Sequence, residues 1–172
     1  MTEELGPLLV APRQYLDVRN RIRDALGFPN ERRPLLIGVD GLDGAGKSSL
    51  AAWLSWQLEM PAIHLDLYII RDTEPLAFRS DHLKAAVDSC LGMGRPVIVE
   101  GVMLLDVLGS VGRRPDFLVF VDKEDRNDSN MRKQVPPYLK RRRPREGADW
   151  VLEWSSAEHD AKVARAHLRS IE

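Results

Sequence analysis

Gly41-Leu42-Asp43-Gly44-Ala45-Gly46-Lys47-Ser48 decides how this chain of 172 residues is read. The stretch satisfies the pattern G-x-x-x-x-G-K-[ST] at every fixed position. Before it, Pro34-Leu35-Leu36-Ile37-Gly38-Val39-Asp40 is a short apolar run that predicts a strand. After it, Ser49-Leu50-Ala51-Ala52-Trp53-Leu54 predicts a helix. A glycine turn between strand and helix lets successive N–H groups converge on phosphate oxygens, and the helix adds its positive N-terminal end. Gly41 through Ser49 then form a nucleotide site, in which Lys47 reaches the β- and γ-phosphates and the Ser48 hydroxyl is a ligand of Mg²⁺. A chance glycine turn does not account for strand, loop and helix together. The stretch points to a nucleoside triphosphate.

Composition narrows the class. Hydrophobic residues at 44% and charged residues at 30% are those of an ordinary folded protein, long enough for a substantial core. A formal net charge of -1 gives no ground for nucleic acid or an acidic membrane as partner. The single cysteine, Cys90, falls on the apolar side of a predicted helix and has no second cysteine to pair with. No apolar run approaches the ~20 residues of a membrane span, and Met1-Thr2-Glu3-Glu4 lacks the basic start of a signal peptide. The expectation is a cytoplasmic protein with no membrane partner, with homo-oligomerisation left open.

Working outward, residues 1–33 precede the first strand and are expected to form a helical extension and linker, with the main domain over 34–172. Tyr15, Val18, Ile22, Ala25 and Leu26 share one helix face, and Gly27 and Pro29 end it. This predicts a helix docked on the domain. Leu50, Leu54 and Leu58 recur at helical spacing, with Trp53 and Trp56 read as packing residues. Ala62–Tyr68 predicts a second strand, ending near Asp66. Ser80 or Asp81 is expected to cap a helix striped by Leu83, Ala86, Val87, Cys90 and Leu91. Val97–Gly101 reads as a strand covered on both faces. A short helix over Val102–Leu108, a strand over Phe117–Asp122 and a polar helix from Glu124 to about Lys133 follow. After Pro136-Pro137 and a basic run comes a last strand, Asp149–Trp154. Ser155 and Glu158 have capping-box spacing and start a final helix. Alternating strands and helices predict an α/β fold with a mainly parallel sheet. Its ligand lies beyond the carboxyl ends of the strands, where Asp40, Asp66, Glu100 and Asp122 should converge.

Three features could carry chemistry. Asp66, at a strand end near the γ-phosphate, can accept a proton from an acceptor hydroxyl, with an ordinary turn aspartate as the alternative. Glu100 ends a Val-Ile-Val strand, the usual place for the acidic partner of the loop, which binds Mg²⁺ directly or through water; Gly101 after it permits close approach of a phosphate or a backbone. Arg126, Arg132 and Lys133 lie on the polar helix, and Lys140-Arg141-Arg142-Arg143-Pro144-Arg145 follows. An arginine-bearing segment can close over a transferring phosphoryl group, while a solvated face is the plainer account of the same residues. No aromatics interleave the basic run, which disfavours a nucleic-acid platform.

On these residues the chain resembles the uridine kinase family of P-loop kinases, which includes phosphoribulokinase-like and pantothenate kinase-like members. Ile37–Ser49, Leu65-Asp66-Leu67-Tyr68, Val97–Leu105 and Pro115–Asp122 carry the likeness, and Tyr138–Leu152 is similar to the family's tail. Asp43-Gly44-Ala45-Gly46 also resembles the loop of thymidylate kinases. The uridine kinase resemblance implies a P-loop NTPase three-layer sandwich. Its five-stranded parallel sheet has strand order 2-3-1-4-5, with helices on both faces. It implies ATP or GTP with Mg²⁺ as donor and a small-molecule hydroxyl as acceptor. Asp66 is then the catalytic base, Glu100 a metal or substrate carboxylate, and Arg126 and Arg132 lid arginines. The segment between Tyr68 and Val97 is short, and little room is expected there for the hairpin with which the family cradles a nucleoside.

Two other functions fit the same loop. A nucleoside monophosphate kinase would need cations in the acceptor pocket, for which Arg71 and Arg79 are the nearby candidates. A regulatory module that binds or hydrolyses a nucleoside triphosphate for a protein partner would use the N-terminal helix.

Overall fold

In a computed structural model of the chain, residues 13–124 and 132–155 are described. Five strands form one parallel sheet: β1 (Leu36–Gly41), β2 (Ala62–His64), β5 (Val97–Glu100), β6 (Phe117–Lys123) and β7 (Trp150–Trp154). They lie in the order β2-β5-β1-β6-β7. Counting these sheet strands alone in chain order, that is the expected 2-3-1-4-5.

Alternate residues of the central strands face opposite layers. Ile37, Val39, Ile98, Val119, Val121 and Leu152 pack under α1 (Arg13–Leu26) and α2 (Lys47–Leu58). Leu36, Val97, Val99 and Leu118 pack under α3 (Ser80–Gly92) and α4 (Leu104–Ser110). This makes the three layers of the sandwich. Val18, Ile22 and Leu26 of α1 are buried in the first of these cores, and each contributes roughly 1.5–3 kcal/mol by leaving water. Among the described residues no helix is long and apolar enough to cross a membrane.

Several local expectations are corrected. The second strand stops at His64 and the chain turns into a 3-10 helix over Leu65–Tyr68. The alternation of Ile63, Leu65 and Leu67 reads as a strand, but Leu65 drops into the core while Leu67 is left 73% exposed. A small antiparallel hairpin follows, β3 (Ile69–Ile70) against β4 (Ala77–Phe78), where little room for one was expected. Trp56 is 74% exposed and does not pack in the core, whereas Trp53 stacks at a tilt on Tyr15 with ring centroids 5.5 Å apart. Neither Ser80 nor Asp81 caps α3: Arg79 holds the cap position, and the Ser80 hydroxyl turns back to the Phe78 carbonyl. The short helix starts at Leu104 rather than Val102, because Met103 takes a left-handed φ of 55°.

The basic run belongs to a helix that was not expected, α5 (Val135–Arg142). Pro136 and Pro137 sit in its first turn, where a proline loses no intrahelical bond. Arg132 and Lys133 lie in the turn before it and are not helical. The rest of the expected polar helix and the final helix from Ser155 lie outside the described residues.

Candidate active site

The phosphate loop leaves the central strand of the sheet and enters α2. Gly41 has φ +149°, and a Cβ there would meet the Val121 carbonyl oxygen at 2.5 Å, so only glycine fits. Gly44 (φ +72°) has open space beside it, and Gly46 (φ +92°) ends the turn at the helix start. Asp43 is exposed on the loop, and Leu42 and Ala45 are buried beneath it. Ser48 and Ser49 are exposed in the first turn of α2. The loop thus presents open backbone at the positive end of a twelve-residue helix.

Lys47 is buried, and its ammonium donates to the Leu42 carbonyl at 2.8 Å. Burial pushes its pKa down, an effect partly offset by the negative field of Glu100, Asp43, Asp40 and Asp66. Three of the four strand-end carboxylates, Asp40, Asp66 and Glu100, contribute to that field. Asp122 is engaged elsewhere, accepting from Arg145 Nε at 2.9 Å. Asp66 itself sits on the 3-10 turn after β2 and is exposed. A short strand followed by a tight turn, rather than a strand end, is what presents it.

Glu100 is 2% exposed at the end of β5. One of its oxygens, Oε1, accepts the Ser48 hydroxyl at 3.0 Å and has His64 Nδ1 at 2.7 Å. The chemistry of this pair suits Mg²⁺, which takes hard oxygen ligands and needs only one or two from protein, the rest coming from water and phosphate. Among the described residues no group of three or more His, Cys, Asp or Glu could hold a metal without such help. Gly101 admits the side chain of Leu65 rather than a phosphate: a Cβ there would lie 2.6 Å from Leu65 Cβ.

Two residues that the sequence reading missed complete the surroundings. Tyr138 of α5 is buried and bonds Asp40, in an apolar cluster with Leu42, Val102, Met103 and Val135. Trp154, the last residue of β7, donates its indole N–H to the Ala45 carbonyl at 2.8 Å. Its ring edge lies 3.2 Å from where a Cβ on Gly46 would be, and the Lys123 ammonium stands 4.9 Å from the ring centroid. A tryptophan in a basic-helix-and-strand tail carries no motif, so nothing in the sequence marked it.

The cations divide. Arg141 and Arg142 pair with Asp106 of α4, Arg143 with Glu146, and Arg145 with Asp122 and Glu153. The pairs with Asp106, Asp122 and Glu153 link α5 and the turn after it to α4, β6 and β7, while Arg143–Glu146 is local to that turn. Arg132 instead borders a cavity of about 510 Å³ between the β3–β4 hairpin and the turn before α5. Arg126 lies outside the described residues.

No protein-family model and no curated protein matches the chain. Among solved structures, a possible uridine kinase from Bacillus stearothermophilus is similar to it, with a TM-score of 0.58 and 19% identity, covering 81% of this chain and 97% of that one. A thymidylate kinase from Candida albicans gives a TM-score of 0.45 at 15% identity, covering 78% and 89%. A gluconokinase from Sinorhizobium meliloti 1021 gives 0.41 at 19%, covering 78% and 95%. The first of these likenesses is one of fold, a three-layer sandwich with a P-loop after the central strand.

Proposed function

We propose that this protein is a kinase that transfers the γ-phosphoryl group of ATP or GTP to a hydroxyl of a small molecule, in the manner of the uridine kinase-like family. The observation that carries the reading is the meeting of Ser48 and Glu100 at 3.0 Å beside a buried Lys47 whose field also includes Asp66.

The loop N–H groups between Gly41 and Ser49 that the fold leaves open hold the phosphates, the Gly41 N–H being tied to Asp40, and Lys47 offsets their charge where the β- and γ-phosphates meet. Mg²⁺, when bound, supplies further positive charge to the phosphate oxygens, and Ser48 and Glu100 are the residues that would hold it. Asp66 orients the acceptor hydroxyl and takes its proton as that oxygen bonds to the γ-phosphorus. The bond to the β-γ bridging oxygen breaks, and the nucleoside diphosphate leaves. Arg126, on the sequence reading, stabilises the group in flight, and Arg132, on the cavity beside the hairpin, lies toward the acceptor.

The test is ADP release from Mg-ATP in the presence of pooled nucleosides, nucleotides, vitamins and sugars, with Lys47→Ala as blank. Acceptor-dependent release is the expected result, and release with no acceptor at all would favour a hydrolytic module. Asp66→Asn should lower acceptor-dependent turnover about 10²–10⁴-fold; full turnover would remove Asp66 as base. Glu100→Gln should raise the Mg²⁺ concentration needed for half-maximal rate, and an unchanged requirement would end its metal role.

A further inference from the structure

The cavity beside the hairpin speaks to what the acceptor is. Its walls come from two directions: Arg71, Asp72 and Glu74 from the hairpin, and Arg132 and Lys133 from the turn before α5. The 3-10 turn that carries Asp66 runs directly into β3, one wall of this cavity. Leu76 on another wall packs against the cluster that includes Leu42 of the phosphate loop. The cavity is thus joined to Asp66 through the chain and to the phosphate loop through the cluster under Leu76, though neither lines it.

Its charges do not cancel. Lys133 pairs with Glu74 at 3.8 Å, a bridge between hairpin and turn. Among the described residues neither Arg71 nor Arg132 has a carboxylate partner, and Asp72 has no cationic one. The cavity is thus lined by two guanidinium groups without an acid and one carboxylate without a cation. By contrast Arg141, Arg142, Arg143 and Arg145 are each satisfied by an acid. Arg79, the other cation considered from the sequence, does not line the cavity. Both guanidinium forks are exposed to water, and a carboxylate or phosphate would replace that water with paired, charge-assisted hydrogen bonds that a neutral group does not offer.

We infer that the phosphoryl acceptor is an anionic hydroxy compound, its carboxylate or phosphate seated between Arg71 and Arg132 and its hydroxyl turned to Asp66. This rests on the kinase reading above. The volume of about 510 Å³ suits a metabolite of sugar-acid or nucleotide size.

The experiment compares matched acceptors that differ in the anion: ribose, ribonate and ribose 5-phosphate, and uridine with its 5′-monophosphate. An anionic member of a series should exceed its neutral partner in kcat/KM by ~10-fold or more. The carboxylate and phosphate members tell the two sources apart. Arg71→Ala, at an exposed position, should raise the KM of that acceptor by a similar factor and leave the KM for ATP within about twofold. Preference for the neutral member, or an acceptor KM that ignores Arg71→Ala, overturns the inference while leaving the kinase intact. A second arm needs no turnover. With ADP saturating the phosphate loop, inorganic phosphate and oxalate are titrated while the Nε–H resonances of Arg71 and Arg132 are followed by NMR. Saturable shifts of both are expected, with that of Arg132 lost in Arg71→Ala. Saturable binding without acceptor-dependent ADP release would sink the kinase reading and keep the anion site, and no saturable shift would remove the site.

Discussion

Tyr138 of α5 donates its hydroxyl hydrogen to the buried carboxylate of Asp40 at the end of β1, across 98 positions of sequence. The other carboxylate oxygen accepts the Gly41 N–H at 2.7 Å, so the pair ties α5 to the first residue of the phosphate loop. Burial pushes the Asp40 carboxyl up to about 6, held back by its bonds to Tyr138 and Gly41 and by Lys47. Burial, and then the Asp40 charge, push the Tyr138 hydroxyl upward as well. The hydrogen therefore belongs to the tyrosine at neutral pH. Tyr138→Phe removes the donor and leaves a buried carboxylate short of a partner, which costs about 1–3 kcal/mol. We expect Tm to fall by ~2–4 °C per kcal/mol lost, read by thermal unfolding at pH 7.5. An unchanged Tm would mean that the tie contributes nothing net.

The same carboxylate gives a signed pH dependence. Its folded pKa, about 6, lies above the ordinary 3.8. Below the lower value both states hold the proton and stability is undiminished. As pH rises from about 4 through 6 the unfolded chain releases the proton first, so the folded state loses stability and then levels off. Two pKa units at about 1.4 kcal/mol each make a loss of roughly 3 kcal/mol. Asp40→Asn cannot titrate. The stability of the wild type relative to this variant, measured by urea unfolding, should therefore decline between pH 4 and 7. A constant difference, or one of opposite slope, would contradict the assignment.

How much of this was legible depended on how local the signal was. The loop Gly41–Ser48, the apolar runs of β1, β5 and β6 and the face of α1 are written in neighbouring residues. Strand order followed from the resemblance that those runs carried. Residues that meet only through the fold left no trace: Tyr138 finds Asp40, and Trp154 finds Ala45, 109 positions away. Two signals misled. Leu67 continued a period-two pattern that the chain abandons at Leu65, and Pro136-Pro137 with the basic run after it suggested no element, although the prolines open α5. Arg71 was legible as a nearby cation, but its opposition to Arg132 across a cavity belongs to the tertiary structure.

Gly101→Ala tests how the turn bearing Asp66 is positioned. The new methyl would lie 2.6 Å from Leu65 Cβ and 2.8 Å from its Cδ1. Leu65 is fully buried and has no exposed space to swing into, so the 3-10 turn itself must shift. Overpacking of this kind costs ~1–3 kcal/mol, and displacement of Asp66, the base of the proposed reaction, should lower kcat more than it raises the KM for ATP. Leu65→Ala alone leaves a cavity worth ~2–5 kcal/mol. The two changes occupy the same space, so the double variant should be less destabilised than the sum of the singles. Simple additivity in a double-mutant cycle would show that they do not touch.

Trp154→Phe separates the indole N–H from the bulk of the ring. The hydrogen bond to the Ala45 carbonyl holds the peptide between Ala45 and Gly46 in place, and that peptide's neighbours are the N–H groups that must converge on phosphate. Gly46 is left-handed at φ +92° and lacks a Cβ where the indole approaches to 3.2 Å, so loop shape and tryptophan are fitted to each other. Phenylalanine keeps most of the packing but not the donor. Loss of one such bond, about 1–1.5 kcal/mol, should weaken ATP binding by ~5–10-fold, with the KM of the phosphoryl acceptor little changed. A merely structural tryptophan would lower stability without separating the two constants. Nucleotide titration beside thermal unfolding distinguishes these outcomes. If Trp154→Phe lowers Tm yet binds ATP as the wild type does, the indole supports the sheet edge and not the loop. Gly46→Ala is the counterpart from the other side: it strains the backbone at a left-handed position and pushes against the indole, and it should lose nucleotide binding more completely than Trp154→Phe.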